Sequence, residues 1–431
     1  MPPKGLAKFL ILLFGVFLAG APPAANAGAT ADLGELQADL SRQLAFAGPH
    51  DGAYVYDLTT GQTLFSQRAT VSRPPASVEK LYTATAALSR FGASGRLATS
   101  VFGVGHIGPA GVWEGDLYLR GGGDPTFGSS SFIRSHYGGT GASLSSLVAQ
   151  LVHVRGIREI TGSIRGDESY LDPLRGEPSS GFGQDPFLEG TLSGLAFDRG
   201  ARGSERGLHA PAAFAARRLW AALKAAGVKI RGKSGPAPAP TPAGSVQLAQ
   251  LQSPTIGQLL GLMLPPSDNF FAEMLLKDLG ASVAGSGTTA AGASVVASTI
   301  ATMLGFRPRV VDGSGLSAAD RTSPYQVANL LVRLAATPTG AILREHLAVA
   351  GRTGTLSRRM RRTSAAGRCQ GKTGTLTGAS NLVGYCSSAD GHQLAFAIFT
   401  DGISVEAAHR FQDHMAITLS SSRLGAVPAR R

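Results

Sequence analysis

Three short motifs occur in a fixed order along this chain, and together they constrain it more than any other feature. They are Ser77-Val78-Glu79-Lys80, Ser267-Asp268-Asn269 and Lys372-Thr373-Gly374. Each motif alone is short enough to arise by chance, because Ser, Lys and Gly are common residues. Taken in this order, the motifs supply a nucleophile, a proton-transfer pair and an anion-binding strand. The sequence therefore predicts a serine acyl-transfer site that works without histidine.

Ser77 and Lys80 form the predicted nucleophile and its base. The stretch from Ser77 to Leu88 is rich in Ala and Leu and contains no Gly or Pro, which predicts a helix. Residues three apart share a helix face, so the Lys80 amine should reach the Ser77 hydroxyl. A lysine acts as a base only when its amine is neutral, and burial together with a second cation, Lys372, would lower its pKa. The Ser77 amide at the helix start is a candidate oxyanion donor.

Ser267 and Asn269 are predicted to face the same cleft from a loop. They follow the helix breaker Pro265-Pro266 and precede a predicted helix. Ser267 is a candidate for passing a proton to a leaving amine, and Asn269 for holding the substrate amide or Lys80. Asp268 has the residue type of a helix N-cap, so the motif is expected to serve both the site and the next helix.

Lys372, Thr373, Gly374 and Thr375 lie on a predicted strand beside the cleft. Lys372 and Thr373 are candidates for binding a substrate carboxylate. Gly374 would let substrate approach the backbone closely. The Thr375 amide is the candidate second oxyanion donor.

Two other segments resemble the third motif. Arg352-Thr353-Gly354-Thr355 lies in an arginine-rich stretch that lacks strand alternation. Lys233-Ser234-Gly235 precedes the second motif and adjoins a proline-rich connector. We therefore assign the anion-binding role to Lys372.

The N-terminus has the pattern of a secretory signal. Lys4 and Lys8 precede the apolar stretch Phe9–Gly20, and Ala25-Asn26-Ala27 is a small-x-small cleavage site. We expect residues 1–27 to be removed and the mature protein to act outside the cytoplasmic membrane, in a periplasm or in the extracellular cell wall. No second long apolar segment follows, so no stable membrane anchor is expected.

The formal net charge of +12 would suit an anionic partner. For an exported protein this is a cell-wall polymer rather than nucleic acid, and a solvated basic face is the simpler interpretation.

The rest of the chain is predicted to form a catalytic domain with an insertion. Residues 28–97 contain a β-hairpin and the Ser77 helix, and residues 98–250 change to short strands separated by Gly and Pro. Residues 251–431 return to helices and end in three strands and a terminal helix. The predicted fold class is α/β (α+β), an antiparallel sheet flanked by helices with an inserted β-rich domain.

The two cysteines, Cys369 and Cys386, lie on adjacent predicted strands. A turn near Leu376–Ser380 would bring them opposite each other, and export favours the oxidised pair, so we predict a disulfide. Two buried thiols are the alternative. Two cysteines cannot form a tetrahedral zinc site alone, and no His/Cys cluster or nucleotide-binding loop occurs, so no metal or cofactor is predicted.

The chain resembles the D-alanyl-D-alanine carboxypeptidase/endopeptidase family of class C low-molecular-mass penicillin-binding proteins. Besides the three motifs, the resemblance rests on Pro75–Leu81, Gly121–Thr126, Asp312–Ser317 and Gly371–Gly378. It implies a penicillin-recognising serine transpeptidase/β-lactamase-like fold with a domain inserted between the first two motifs. It also implies an enzyme that trims peptidoglycan stem peptides and is acylated by β-lactams such as penicillin.

The same resemblance implies roles for individual residues. Ser77 would be the acylated nucleophile, Lys80 its base, and Ser267 with Asn269 the second catalytic element. Lys372, Thr373 and Thr375 would bind the substrate carboxylate and complete the oxyanion hole. The insert of the family usually carries a nested domain, and the brief Gly/Arg-rich stretch Phe197–Gly203 indicates that it is trimmed or absent here.

Two alternatives remain open. A β-lactamase needs a group that activates water for fast deacylation, and no typical E-x-x-L-N occurs between the second and third motifs. A non-catalytic wall-binding or β-lactam-sensing module is opposed by the intact Ser77/Lys80 pair. Both carboxypeptidase and endopeptidase action are compatible with the predicted site.

Overall fold

The computed structural model describes residues 25–201, 209–232 and 235–425. Residues 1–24 of the predicted signal, and two residues of the rejected Lys233-Ser234-Gly235 segment, lie outside the described residues. The helices are Ala25–Ala47, Lys80–Phe91, Ser130–Tyr137, Leu144–Ala149, the kinked Asp198–Ala201, Pro211–Ala225, Ile256–Met263, Asn269–Ala284, Thr289–Leu304, Pro324–Leu334, Pro338–Glu345 and Val405–Ser421. The strands are Gly52–Asp57, Gln62–Gln67, Ala98–Ile107, Val112–Arg120, Glu159–Ile160, Ile164–Asp167, Lys229–Ile230, Ala237–Pro238, Val246–Gln252, Ala348–Val349, Cys369–Leu376, Ala379–Ser387 and Gln393–Asp401.

A six-stranded antiparallel sheet carries the third motif. Its strands follow the order Ala348–Val349, Cys369–Leu376, Ala379–Ser387, Gln393–Asp401, Gly52–Asp57 and Gln62–Gln67. The N-terminal hairpin thus pairs with the last strand of the chain, with Gly52 opposite Phe399. This pairing brings residues from both ends of the sequence into one sheet.

Helices cover both faces of this sheet. The larger core lies on the face toward the helices that carry the first two motifs, and it contains Leu81, Phe271 and Val383. On the other face, Leu40 of the first helix and Met415 of the last one are fully buried against the sheet. The helix Ala25–Ala47 was not predicted, because its first turn overlaps the assigned signal segment.

A second, seven-stranded sheet lies between the first and second motifs in the sequence. It runs from strand Ala98–Ile107 to strand Val246–Gln252, which pair with each other in antiparallel orientation. The helix Pro211–Ala225 packs on this sheet through Ala212, Leu219 and other buried residues. This part holds more helix than expected, because Ser- and Gly-rich segments conceal the short helices Ser130–Tyr137 and Leu144–Ala149.

Within the described residues, no single helix combines the length and the apolar composition of a membrane span. That length and composition are met there only by two helices taken together, Asn269–Ala284 and Thr289–Leu304, and the chain bends by 79° between them.

Candidate active site

Ser77 lies in a tight turn that precedes the Lys80–Phe91 helix. The sequence predicts one helix from Ser77, but the structure begins with a 3₁₀ turn over Ala76–Glu79. In a 3₁₀ turn, residues three apart lie directly above each other, so the Lys80 side chain lies over Ser77. Ala76 has a positive φ of 49°, and a Cβ on Gly315 would lie 1.9 Å from the Ala76 carbonyl oxygen. Glycine at position 315 therefore allows its loop to pack against the turn that carries Ser77.

Lys80 is fully buried, and its amine contacts three oxygen atoms. Its Nζ lies 2.8 Å from Ser77 Oγ, 2.6 Å from Asn269 Oδ1 and 2.7 Å from the Ser314 carbonyl oxygen. The structure thus brings together residues of the first and second motifs, as predicted. The Ser314 carbonyl was not predicted as a partner, although it lies inside the Asp312–Ser317 segment that supports the family resemblance.

These three contacts determine how a neutral Lys80 would be oriented. The carbonyl oxygens of Asn269 and Ser314 are acceptors only, whereas the Ser77 hydroxyl both donates and accepts. A neutral amine has two N–H groups and one lone pair. Because the two carbonyl oxygens take the two N–H groups, the lone pair is left to face the Ser77 hydroxyl. The site is therefore arranged for proton transfer from Ser77 to Lys80.

The electrostatic surroundings of Lys80 favour the neutral amine at mildly alkaline pH. Burial is the largest effect, and it lowers the pKa of Lys80 to about 8 although the nearby Asp312, Glu273, Asp268 and Glu79 oppose this change. About a tenth of the amine would then be neutral one unit below this pKa. No histidine is required to supply the base.

Four buried carboxyl groups lie behind Lys80, at Glu79, Glu273, Asp312 and Asp320. Burial and mutual repulsion raise the pKa of Glu273 to about 8 and that of Asp320 to about 11, and they raise the pKa of Glu79 well above its usual range. Glu273 and Asp320 therefore carry a proton at neutral pH, so the cluster holds less than the full charge of four carboxylates.

Two of these carboxyl groups hold the loop that reaches Lys80. Asp312 accepts backbone N–H groups from Gly315 at 2.6 Å and from Ser317 at 2.6 Å, and burial raises its own pKa. Glu273 accepts the N–H of Ser314 at 2.7 Å. These bonds fix the loop, so that the Ser314 carbonyl points at the Lys80 amine.

The second motif adopts a strained turn that directs its side chains apart. Ser267 has a φ of 67°, a region that non-glycine residues rarely occupy and that often marks functional sites. Asp268 caps the helix Asn269–Ala284 by accepting the Phe271 N–H at 3.0 Å, as its residue type predicts. Ser267 and Asn269 are thus available to the site, and the Ser267 hydroxyl is 2.7 Å from Lys372 Nζ.

Lys372 is buried at the meeting point of the second and third motifs. Its Nζ donates to Ser267 Oγ at 2.7 Å and to the Thr373 carbonyl oxygen at 2.8 Å. Burial, and then the positive charge of Lys80, lower the pKa of Lys372 well below its usual value. The effect thus runs from Lys80 to Lys372, whereas the sequence predicts that Lys372 lowers the pKa of Lys80; burial is what lowers the pKa of Lys80.

Gly374 is needed for contact between the Cys369–Leu376 strand and the turn that carries Ser77. A Cβ at this position would lie 2.5 Å from the Pro75 carbonyl oxygen and 3.1 Å from the Val78 nitrogen. The sequence predicts that Gly374 lets substrate approach the backbone, and the structure shows that the packing of the protein itself also requires glycine here. Thr375, one residue further along the strand, is exposed.

The segment rejected as an alternative third motif also lies at the site. Thr373 donates its hydroxyl to Thr355 at an Oγ1–Oγ1 distance of 2.8 Å, and the Thr355 N–H donates to the Pro265 carbonyl at 3.0 Å. Arg352 itself is exposed and does not replace Lys372. Motif similarity indicated this segment, but its position in the sequence gave no reason to place Thr355 beside Thr373.

Cys369 and Cys386 form the predicted disulfide. They lie directly opposite each other on neighbouring strands, with Cα atoms 4.1 Å apart. The turn between these strands is Thr377-Gly378, where the sequence places it. The bridge connects the strand of Lys372 to the next strand of the sheet. In the part of the chain that the structure describes, no group of three or more His, Cys, Asp or Glu side chains could hold a metal ion.

Comparison with known proteins gives a consistent family match. The sequence profile of the D-Ala-D-Ala carboxypeptidase 3 (S13) family matches residues 34–180 and 190–422. A D-alanyl-D-alanine carboxypeptidase of Actinomadura sp. (strain R39) is 28% identical over 97% of this chain and 90% of its own length. The carboxypeptidase DacB of Mycolicibacterium smegmatis is 31% identical over 89% of this chain and 86% of its own length.

Solved structures share the fold at lower sequence identity. Penicillin-binding protein 4 (dacB) of Haemophilus influenzae has a TM-score of 0.71 and 20% identity, and the match covers 89% of this chain and 98% of the other. The peptidoglycan endopeptidase Bd3459 of Bdellovibrio bacteriovorus has a TM-score of 0.55 and 17% identity, with 87% and 94% of the two chains covered. These structures share the penicillin-recognising serine hydrolase fold that the motif order predicts.

Proposed function

This chain belongs to the D-Ala-D-Ala carboxypeptidase 3 (S13) family of serine-type peptidases, and we propose that Ser77 is its acylated nucleophile, acting on peptidoglycan stem peptides. The observation that carries this assignment is the buried Lys80 amine, held 2.8 Å from Ser77 Oγ by two carbonyl acceptors. The two carbonyl oxygens take two of the three hydrogen-bonding positions of the Lys80 amine. A lysine that served only the packing of the protein would not need a serine hydroxyl at the third position.

The first chemical step transfers the Ser77 proton to Lys80. As Ser77 Oγ attacks the carbonyl carbon of the penultimate D-alanine, its proton moves to the Lys80 lone pair, and the carbonyl oxygen becomes an oxyanion. The amides of Ser77 and Thr375 would donate to this oxygen, which is the position where charge develops. Burial of Lys80 supports this step, because a pKa of about 8 leaves a useful fraction of neutral amine at physiological pH.

Collapse of the intermediate needs a proton on the leaving nitrogen. Ser267 can donate its hydroxyl proton to the terminal D-alanine amine as the C–N bond breaks, and Lys372 at 2.7 Å can replace that proton. D-Alanine then leaves and the acyl group remains as an ester on Ser77. Before deacylation, Lys80 must release the proton that it took from Ser77 to solvent, and Lys372 must take one up to replace the proton that it gave to Ser267. Water then attacks the ester carbonyl with neutral Lys80 as base, and the Lys80 ammonium returns that proton to Ser77 Oγ as the ester bond breaks.

Lys372 and Thr373 would recognise the carboxylate of the terminal D-alanine. Their position beside Ser267 places an ammonium group next to the point where the leaving residue is released. An anionic ligand would also compensate for the burial of this cation. The same chemistry, applied to the amide of a cross-bridge, would give endopeptidase activity.

We also propose that the protein is exported and acts on the cell wall. The support is the signal pattern in residues 1–27 and the substrate class of the family. Penicillin would acylate Ser77, because its strained amide carbonyl and carboxylate resemble those of acyl-D-Ala-D-Ala.

Digestion of purified muropeptides tests the proposed function. The purified protein should release one D-alanine from pentapeptide monomers, and mass analysis of dimers would show any splitting of cross-bridges separately. Ser77→Ala should abolish both reactions and the penicillin adduct. Ser135→Ala is a matched control, since Ser135 is exposed in the insert and, among the described residues, hydrogen-bonds its neighbours Phe132 and His136. An adduct that persists in Ser77→Ala would refute the assignment.

The lifetime of the penicillin adduct separates this proposal from the β-lactamase alternative. A carboxypeptidase should keep the penicilloyl ester, because the tethered ring remains where the departing D-alanine would leave room for water. Intact-mass analysis over time should show one penicillin added and slowly lost. Rapid turnover of penicillin with no detectable adduct would favour a β-lactamase.

A further inference from the structure

Asn269 joins the catalytic lysine to the insert. Its Oδ1 accepts from Lys80 Nζ at 2.6 Å, and its Nδ2 donates to the Phe187 carbonyl oxygen at 2.8 Å. We infer that the insert is a working part of the catalytic centre, in which the Phe187 carbonyl orients Asn269 and Arg199 is a positioning residue. This inference rests on the proposed role of Lys80 as the base for Ser77.

The two ends of the Asn269 amide are chemically distinct, and each faces a partner of only one kind. If the amide turned over, its NH₂ group would face the Lys80 N–H groups, and its oxygen would face the Phe187 carbonyl oxygen. Both contacts would then be repulsive. The Phe187 carbonyl therefore selects the orientation in which Asn269 accepts from Lys80. Because that contact occupies one Lys80 N–H, it also helps to leave the lone pair facing Ser77.

The turn that carries the Phe187 carbonyl is fixed from several directions. Asp185 accepts the Phe187 N–H at 2.7 Å, and the Leu188 side chain is fully buried in the core of the catalytic domain. Just beyond the turn, the Thr191 N–H donates to the Arg199 carbonyl at 3.1 Å. The Phe187 side chain, by contrast, is 73% exposed, so core packing of the ring does not explain the position of this turn.

The Arg199 side chain connects the same segment to the second motif. Its guanidinium donates to Asp268, the residue between Ser267 and Asn269, and its Nε donates to the Tyr137 hydroxyl at 2.7 Å. The guanidinium carbon also lies 5.2 Å from the Phe270 ring centroid and is therefore within cation–π distance. Arg199 thus contacts the insert through Tyr137 and the catalytic domain through Asp268.

Stability alone does not account for this contact. The attraction within a buried ion pair offsets little more than the free-energy cost of removing both charges from water. Well-packed apolar residues therefore often replace such pairs without loss of stability. The guanidinium fork, however, fixes direction, because it gives Asp268 a defined position between the two site residues. Asp268 also caps the following helix, so its displacement would move Ser267 and Asn269 together.

A cavity beside the pair makes Arg199 accessible to chemical rescue. Its volume is about 260 Å³, and its lining includes Arg199, Asp268, Glu189 and Pro266. Removal of the Arg199 side chain would enlarge this cavity next to Asp268. A small guanidinium compound such as ethylguanidine could then enter and pair with the carboxylate.

The test measures the rate of Ser77 acylation by a chromogenic β-lactam, at a pH above the pKa of Lys80. Arg199→Ala should lower the acylation rate constant by about 10²-fold, the order of loss expected for a misplaced catalytic group, while the affinity of the initial complex stays the same. Ethylguanidine should restore much of that rate, and ethylammonium should restore less. Arg199→Lys should be intermediate, because it keeps the charge but loses the fork. Arg231→Ala is the control, since its ion pair with Glu159 lies in the same insert.

The outcomes separate this inference from the proposed function. If wild-type protein is not acylated at Ser77, the proposed function fails. If wild-type protein is acylated and folded Arg199→Ala reacts within about twofold of it, or if ethylguanidine gives no recovery, the positioning role is refuted. Asp268→Asn keeps a helix cap and removes the ion pair, so it provides the same comparison should Arg199→Ala not fold. An unchanged rate in folded Asp268→Asn would equally overturn the inference.

Discussion

The hydroxyls of Thr373 and Thr355 lie 2.8 Å apart, which connects the Cys369–Leu376 strand to the Gly354–Leu356 turn. Thr355 is held in turn by its N–H bond to the Pro265 carbonyl, just before the second motif. The contact therefore fixes the Thr373 hydroxyl relative to both motifs.

Thr355→Val should lower kcat/KM for a free-acid D-Ala-D-Ala peptide by about 5-fold to 10-fold, the equivalent of one hydrogen bond of about 1 kcal/mol. Valine keeps the size of threonine but cannot accept from Thr373. Thr302→Val serves as the control, because Thr302 is exposed and its hydroxyl donates to the Ser298 carbonyl one helical turn away. Equal kcat/KM values in both variants would show that the Thr373 hydroxyl needs no such support.

The sequence predicts side chains of this site better than it predicts backbone contacts. Ser77, Lys80 and Lys372 are recognisable because acyl transfer requires those residue types at those spacings. The carbonyls of Ser314 and Phe187 have no such signature, since every residue carries a carbonyl. Their positions depend on loops that only the folded chain brings together.

The fold, too, divides into elements that have a sequence pattern and contacts that only the folded chain creates. The sheet that carries the third motif was predictable, because its strands alternate and its cysteines fix the register between two of them. Arg199 lies in a Gly/Arg-rich stretch that the sequence presents as a shortened loop. Its contact with Asp268 spans 69 residues, and no local pattern predicts an interaction over that distance.

The Cys369–Cys386 disulfide should stabilise the six-stranded sheet that carries the third motif. For a loop as long as the one between Cys369 and Cys386, the chain-entropy description gives a stabilisation of about 3 kcal/mol. Chemical denaturation of Cys369→Ser/Cys386→Ser should therefore show a free energy of unfolding lower by that amount. Thiol titration of denatured, unreduced wild-type protein should find no free thiol, and two free thiols would contradict the bridge.

His392 and Asp57 should make stability depend on pH. Burial lowers the pKa of His392, but the hydrogen bonds to Asp57 at 2.7 Å and to the Gly425 carbonyl outweigh burial and raise it overall. Because the folded pKa lies above the unfolded value of 6.5, the stabilisation is complete below that value and is lost as pH rises through the folded pKa. Urea midpoints across this range should converge for wild type and His392→Asn at high pH. His153→Asn, at an exposed site, is the matched control.

The pKa of Lys80 should govern the pH dependence of acylation. Because only the neutral amine accepts the Ser77 proton, the acylation rate constant should rise about tenfold per pH unit below about pH 8 and become constant above it. Lys80→Ala should lower the plateau by about 10²–10⁴-fold. Stopped-flow acylation with a β-lactam measures both quantities. A rate that does not change between about pH 6 and about pH 8 would exclude Lys80 as the base.

Lys372 should take up a proton when a carboxylate ligand binds. Burial and the Lys80 charge hold its pKa well below the usual value, and a ligand carboxylate beside Nζ would raise it again. Affinity should therefore decrease as pH rises above the pKa of the free site. Calorimetry with Ser77→Ala protein, in buffers of different ionisation enthalpy, should detect proton uptake for a free-acid peptide and none for its C-terminal amide. Lys372→Ala should weaken binding of the free acid by about 10–10²-fold and leave the amide unaffected, whereas Arg352→Ala should bind both like wild type. Equal proton uptake for the acid and the amide would show that Lys372 does not bind the terminal carboxylate.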